Sequence, residues 1–467
     1  MLKFLKIIGK TIGVISVIIL LVLIWACEKV DYSPYFESDY YQETITHFDS
    51  LSKELSLAEG KVYIGTGKAS ITPLIGAQED IPEAGAFKEV PMAGFGSRKG
   101  TYAEGIHDSL FVKVVAVRVK ERLILMIGSD ILIVPPNISE GVSRIVDEKL
   151  GIKRNQLFFT ASHTHSSVGG WSEGYVGKQF AGLPNQSIID WLVLQYTKAI
   201  EDAVEDLRPG SIGTGSFEAS DLISNRLIGE RGEKNAEFVF IVAKQEEGKS
   251  IVIGSFDAHA TTLGGWNMQF SADYPGYWQR HLEDTGADMA VFFAGSVGSH
   301  GPGSKGDKFE KPAYLGEALA DSVLKYSRYV ELNDSIGMAY LSVKINLPEL
   351  HVRVTDNLRL NPVISRKLLP SFGDTYIQTA RIGDLVWTTT PADFSGETAI
   401  DFKNTMNAEG FKSLTTGFNG NYVGYIIPDK YYHLNDYESR LMSWFGPSMD
   451  PYTDEIIKRM MKKIISL

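Results

Sequence analysis

The sequence predicts an α/β protein: one large domain of mixed β-sheets covered by helices, preceded by an N-terminal membrane-targeting segment. Three observations predict it. From Lys61 onward, short runs rich in Val, Ile and Phe alternate with amphipathic stretches, as expected for helices layered on a buried sheet. The composition is 44% hydrophobic and 22% charged, which is globular and excludes a disordered or fibrous chain. Ahead of all this, Thr11 to Ala26 carries no charge, whereas Lys3, Lys6 and Lys10 precede it. A length of 467 residues admits several domains at roughly 100–200 residues each. No internal repeat, Pro-rich linker or low-complexity tract divides the chain, so 61–467 is expected to form a single domain.

The elements follow in order. Residues 1–27 read as an export signal or a membrane anchor, a basic region followed by an apolar one. The uncharged stretch is slightly short of the roughly 20 residues that span hydrocarbon, although flanking lysines can snorkel. It ends in Leu23-Ile24-Trp25-Ala26-Cys27, which resembles a bacterial lipobox with Trp25 in place of a small residue. Lipid-modified Cys27 and an uncleaved transmembrane anchor are both open. Either places the rest outside the cytoplasm, held to a membrane. Residues 28–60 are expected to be a stalk followed by a helix bearing Phe48, Leu51, Leu55 and Leu57. Strands are expected at 110–118, 123–127, 157–162, 238–244, 250–256, 290–294, 338–345 and 385–390. Helices are expected at 137–150, 187–207, 274–285, 311–329, 395–409 and 452–465. Forty-five glycines lead to an expectation of many tight turns.

Charge and cysteine content narrow the function. There are 46 basic against 57 acidic residues, a formal charge of −11. A duplex nucleic-acid partner needs a basic face and is not expected. Cys27 is the only cysteine, so any metal must rest on His, carboxylate or Tyr. Several of the nine histidines sit where apolar runs end, and ligand sites of open α/β sheets lie at strand carboxyl ends. In Ser162-His163-Thr164-His165-Ser166-Ser167-Val168-Gly169-Gly170, an extended backbone would point both imidazoles to one face. Both could ligate one metal, or one could ligate and the other bind substrate. His259 closes the run ending at Phe256-Asp257-Ala258. Ser296-Val297-Gly298-Ser299-His300-Gly301-Pro302 is a glycine-rich turn after another strand, without the P-loop ending or a nucleophile elbow. Asp393, in Thr390-Pro391-Ala392-Asp393-Phe394-Ser395, stands at a strand-to-helix junction, where, taken alone, it reads better as a helix cap or first-turn residue than as a ligand.

Taken together, these segments resemble the neutral/alkaline, non-lysosomal ceramidase family over most of 61–450. The parts come in the family's order: Gly65-Thr66-Gly67-Lys68-Ala69-Ser70-Ile71-Thr72-Pro73, Met92-Ala93-Gly94-Phe95, Gly105-Ile106-His107, Ser129-Asp130 and the His163–Gly170 segment. Asn225-Arg226, His259 with Asp273 and Gly276, Pro391-Ala392-Asp393-Phe394, Asn421-Tyr422-Val423-Gly424-Tyr425, Tyr437-Glu438 and Phe445-Gly446-Pro447 complete it. The resemblance implies a Zn2+ ion held by His163, His259, Asp393 and Tyr425. It implies that His165 and Arg226 hold the substrate's polar group, with Arg226 placed to stabilise an oxyanion. The implied activity is hydrolysis of the N-acyl amide of ceramide or a similar lipid.

Two departures bear on that activity. Asp393 replaces the family's glutamate, one methylene longer. The family's Gly-Asp-x-Ser-Pro turn reads Gly298-Ser299-His300-Gly301-Pro302, so its serine position is Gly301. The expectation is therefore attack by metal-bound hydroxide, with Ser299 and His300 as loop participants. A zinc hydrolase of another amide or ester, or a non-catalytic metal- or lipid-binding relative, stays open. The length fits the family's catalytic domain and leaves no room for the C-terminal β-sandwich such ceramidases carry.

Overall fold

The computed structural model describes the backbone of residues 2–467 and side chains from Phe4 onward; the expected charge of Lys3 lies outside the described side chains. Chain order begins with the apolar helix α1 (Leu2–Ala26), a short strand β1 (Cys27–Lys29) and helix α2 (Asp39–Glu54). Strands β2 (Ala58–Ser70), β3 (Phe111–Val119) and β4 (Arg122–Ser129) precede helix α3 (Pro136–Leu150), strand β5 (Leu157–Ala161) and helix α4 (Gln186–Glu205). Next come β6 (Arg208–Glu218), β7 (Glu237–Gln245), β8 (Ser250–Phe256), α5 (Asp273–Asp284), β9 (Met289–Ala294) and α6 (Glu310–Ser327). The chain ends with β10 (Ser335–Lys344), β11 (Leu358–Leu360), β12 (Tyr376–Ile382), β13 (Leu385–Thr389), α7 (Gly396–Ala408), β14 (Lys412–Thr416) and α8 (Met449–Ile465). Every strand and helix expected from 110 to 465 is present, with ends shifted by a few residues.

Twelve strands form one branched sheet, in the order β9-β8-β7-β6-β2-β10-β12-β13-β14, with β3, β4 and β5 branching from β2. The long β2 bonds three neighbours, β10 at 58–61, β6 at 62–64 and β3 at 62–70. Its two wings face each other over a core of branched side chains. Trp387 on β13 stacks on Phe293 of β9 at 5.3 Å between ring centroids and lies 5.1 Å from Phe158 of β5. Three pairs are parallel, β4–β5, β8–β9 and β13–β14. The carboxyl ends of β5, β8, β9 and β13 all feed the site described below.

Four strands of this sheet, β2, β6, β12 and β14, were not among the expected ones. In β2 the reason is glycine. A Cβ at Gly65 would stand 2.0 Å from the Ala203 carbonyl oxygen, and at Gly67 1.9 Å from that of Ala199. Only glycine lets helix α4 lie this close on the strand. The abundance of glycine thus partly marks close packing, where tight turns were expected.

The expected stalk is instead docked. β1 pairs with β11, from Cys27 opposite Leu360 to Lys29 opposite Leu358, and Glu28 meets Arg359 at 3.3 Å. The helix expected after it is α2. Ser38 caps it, accepting from the Tyr41 amide at 3.3 Å. Its buried Tyr41, Thr44 and Phe48 face the domain, and Thr44 takes a 2.8 Å bond from the Tyr452 hydroxyl of α8. α1 stands apart: 23 residues, Phe4–Ala26, have mean hydropathy 2.7 and none of that window is buried. By length and composition it is a candidate membrane span or signal segment.

Candidate metal centre

β5 stops at Ala161, and the next residues leave the extended conformation. His163 has φ +60°, the left-handed region that a non-glycine residue enters at a cost. The pairing of His163 and His165 therefore arises from a left-handed turn and not from strand alternation, as the sequence had suggested. Two loops are stitched here: Thr164 donates its hydroxyl to Ser271 O at 2.7 Å, and His165 N donates to Ala260 O at 3.3 Å.

This brings three imidazoles together. His163 Nε2 lies 2.9 Å from His259 Nε2 and 3.2 Å from His165 Nε2. One ligand atom from each falls within 4.8 Å of the others. Carbonyls set two tautomers: His163 Nδ1 is 2.7 Å from Leu132 O, and His259 Nδ1 is 3.2 Å from Val297 O. An N–H must sit at each of these nitrogens, so both Nε2 atoms present bare lone pairs. Burial pulls His163 down to about 3 and holds His165 and His259 well below the ordinary histidine value. Neutral imidazoles with lone pairs facing across 2.9 Å repel one another unless a cation lies between them.

Asp393 supplies a carboxylate. It belongs to a two-residue strand, Asp393–Phe394, parallel to Tyr425–Ile426. The helix cap is Ser395, which accepts from Glu397 N at 3.2 Å, so Asp393 is free of that role. Its Oδ2 accepts from the Tyr422 hydroxyl at 2.6 Å. Its Oδ1, buried and without a hydrogen bond, is 3.3 Å from His163 Nε2 and 3.8 Å from His259 Nδ1. Burial pushes this carboxyl up to about 7, against the hydrogen bond from Tyr422. An orphaned carboxylate oxygen beside the bare His163 nitrogen, itself 2.9 Å from that of His259, is the donor set a divalent metal takes. The residues fit such an ion.

Tyr425 and Arg226 form the next layer. Arg226 Nη2 donates to the Tyr425 hydroxyl at 2.8 Å. Its Nε lies 3.0 Å from Glu438 Oε1, off the N–H direction, so the contact is ionic and not a formed hydrogen bond. Burial lowers the basicity of Arg226, but Tyr425 and Glu438 outweigh it and the net shift is upward.

Ser299 and His300 are both buried. Ser299 Oγ accepts from Gly396 N at 3.0 Å and lies 3.1 Å from His300 Nδ1. His300 Nε2 reaches Glu233 O at 3.1 Å. None of these side-chain bonds reaches the three histidines or Asp393. Gly301 has room: a Cβ there would come no nearer than 3.5 Å to Ser224 Oγ and 3.9 Å to Arg226.

Sequence reasoning missed the parts played by Tyr422, Glu438 and Phe418. The first two sit inside matched segments but carried no assigned role. Phe418 stacks on the His163 ring at 4.2 Å and 6°, and nothing in the sequence marks it.

The fold and this centre define a class: α/β proteins whose strand ends carry a buried histidine cluster able to hold a metal ion. A family model described as "Neutral/alkaline non-lysosomal ceramidase, N-terminal" matches residues 74–308, half of the chain. The chain belongs to the neutral/alkaline non-lysosomal ceramidase family, a family of hydrolases. Among solved structures, neutral ceramidase from Pseudomonas aeruginosa superposes at TM-score 0.70 and 18% identity, over 87% of this chain and 74% of that one. A ceramidase complexed with C2 superposes at 0.71 and 18%, over 87% and 75%. At this identity the likeness establishes the fold. The matched span holds His163, His165, Arg226, His259, Ser299 and His300, whereas Asp393 and Tyr425 lie beyond it.

Proposed function

We propose that the chain is a membrane-tethered, zinc-dependent amide hydrolase acting outside the cytoplasm on ceramide-like N-acyl lipids. In this reading residues 1–27 are the targeting segment and 61–467 the catalytic domain. The observation that carries it is the pair of bare His163 and His259 Nε2 atoms 2.9 Å apart, with the orphaned Asp393 Oδ1 3.3 Å from the first. His163, His259 and Asp393 would hold the ion, with Tyr425 beside them. His and carboxylate donors suit Zn2+. When bound, the ion would supply Lewis-acid polarisation of the amide carbonyl and a more acidic water.

His165 differs from its two neighbours. Its Nδ1 has no partner and the residue is half-buried, whereas metal-ligating histidines almost always anchor the second nitrogen. His165 is therefore assigned to the substrate's polar group. The guanidinium of Arg226, braced by Glu438, would hold the carbonyl oxygen as charge develops there. Ser299 and His300 are assigned to closing the wall behind His259, since their side-chain hydrogen bonds are all made elsewhere. The membrane tether is supported by the unburied apolar α1.

Gly301, at the family's serine position, favours a second reading: a hydrolase of another amide or ester, or a binder that keeps the metal pocket. Metal analysis of the purified chain, followed by hydrolysis of a fluorescent ceramide with and without chelator, separates these. Stoichiometric zinc with chelator-sensitive cleavage is expected. Zinc without ceramide cleavage moves the assignment to another substrate or to binding. No metal removes both hydrolase readings.

A further inference from the structure

α1 meets the domain without a linker. Its last residue, Ala26, accepts from Asn361 N at 2.9 Å, and the next three residues are β1, paired with β11. Glu28 is held by Asn361 Nδ2 at 2.7 Å and Arg359 Nη2 at 3.3 Å. A bilayer entered by α1 therefore lies against the segment 351–363. The same face continues into 432–441. Arg353 donates to the Tyr432 and Leu434 carbonyls, and Arg440 Nη2 donates to Val354 O at 2.7 Å. Tyr32 stacks on His433 at 6.0 Å and donates its hydroxyl to Asp356 O at 2.7 Å.

The turn Tyr437–Leu441 is also a wall of the metal centre. The Tyr437 ring lies 6.0 Å from Tyr425, and Glu438 faces Arg226. Among the outer side chains of these bonded segments, apolar ones are left open beside the polar Thr355, Asp356, Asn357, Asn435 and Asp436: Leu441 is 61% exposed, Val363 56% and Tyr437 53%, with Tyr32 and Leu358 also exposed. Single exposed apolar residues need no explanation, but several on segments bonded to the foot of an unburied apolar helix mark an interaction surface. Aromatic and branched side chains of this kind sit well at the level of lipid headgroups.

We infer that this face, bearing Tyr32, Leu358, Val363, Tyr437 and Leu441, rests in the surface of the bilayer that α1 enters. The site would then open against the leaflet and take its lipid from the membrane directly. The inference rests on the membrane tether proposed above.

The lone Cys27 allows a clean test. In a Cys27→Ser background, the full-length chain carries Leu441→Cys, Val363→Cys or Tyr329→Cys with an environment-sensitive fluorophore. Tyr329 is 76% exposed and lies beyond α6, on none of these segments. Each protein is mixed with phosphatidylcholine vesicles whose acyl chains are brominated. Flotation with the vesicles is expected for all three, with loss of most emission at 441 and 363 and none at 329. Flotation with equal emission at all three positions overturns the docked face and leaves the tether standing. Failure to float removes the tether, and the docked face falls with it.

Discussion

Two buried polar clusters stand on either side of the same strand ends, and they differ in where their lone pairs point. Around His163, His259 and Asp393, carbonyls and Tyr422 hold the outer atoms, while Nε2, Nε2 and Oδ1 turn inward without donors. Around Ser299 and His300, the atoms form a closed chain from Gly396 N through Ser299 Oγ and the imidazole to Glu233 O. Both clusters are inaccessible and both depress a histidine, His163 to about 3 and His300 to about 4, by burial. Burial and basicity therefore do not separate a reactive centre from a structural one. The unpaired inward atoms do, since an orphaned buried acceptor is costly unless something binds it.

The strongest challenge to that contrast is His163→Ala, which removes the imidazole whose Nε2 lies within 3.3 Å of His259, His165 and Asp393. Metal content by plasma mass spectrometry should fall to background, and turnover with it. Full metal retention would move the centre elsewhere. Next comes Arg226→Ala, expected to lower kcat by about 10²–10³-fold through a lost oxyanion donor while metal content stays unchanged. Tyr422→Phe deletes only the bond to Asp393 Oδ2 and should weaken metal affinity by about 10–100-fold, as read by competition with a chelating dye. Ser299→Ala belongs to the other cluster. Turnover should be retained, while thermal or urea denaturation shows a loss of about 1–3 kcal/mol from the unpaired Gly396 amide and His300 nitrogen. A collapse of kcat with unchanged stability would return Ser299 to the chemistry. Gly301→Ser has the smallest effect, within about 0.5 kcal/mol in stability, because its Cβ meets only ordinary van der Waals contacts. A rise in turnover there would mean that the missing hydroxyl had been limiting.

The fold was largely legible. Strands such as β3, β4, β7 and β9 are apolar runs buried on both faces, and their composition alone declares them. β2 and β6 were hidden because close approach of α4 and neighbouring strands demands glycine, which reads locally as turn. The candidate site was legible as a set of residue types at strand ends. Its arrangement was not: His163 and His165 look like an alternating strand pair, yet a left-handed backbone turns them. The supporting partners Leu132 O and Val297 O are main-chain atoms and leave no trace in side-chain identity.

The sequence by itself determined the α/β layering, the apolar N-terminal segment, the exclusion of cysteine ligands and the residue types available to a metal. Periodicity and composition are local properties, and they survive reading one residue after another. Tertiary structure alone decided that Asp393 Oδ1 is left unpaired beside the bare His163 nitrogen and that the Ser299 and His300 side chains are bonded away from the centre. It also decided that α1 runs into the domain without a stalk. Each of these depends on which distant atom a lone pair meets, and that is fixed only when separate strand ends are packed together.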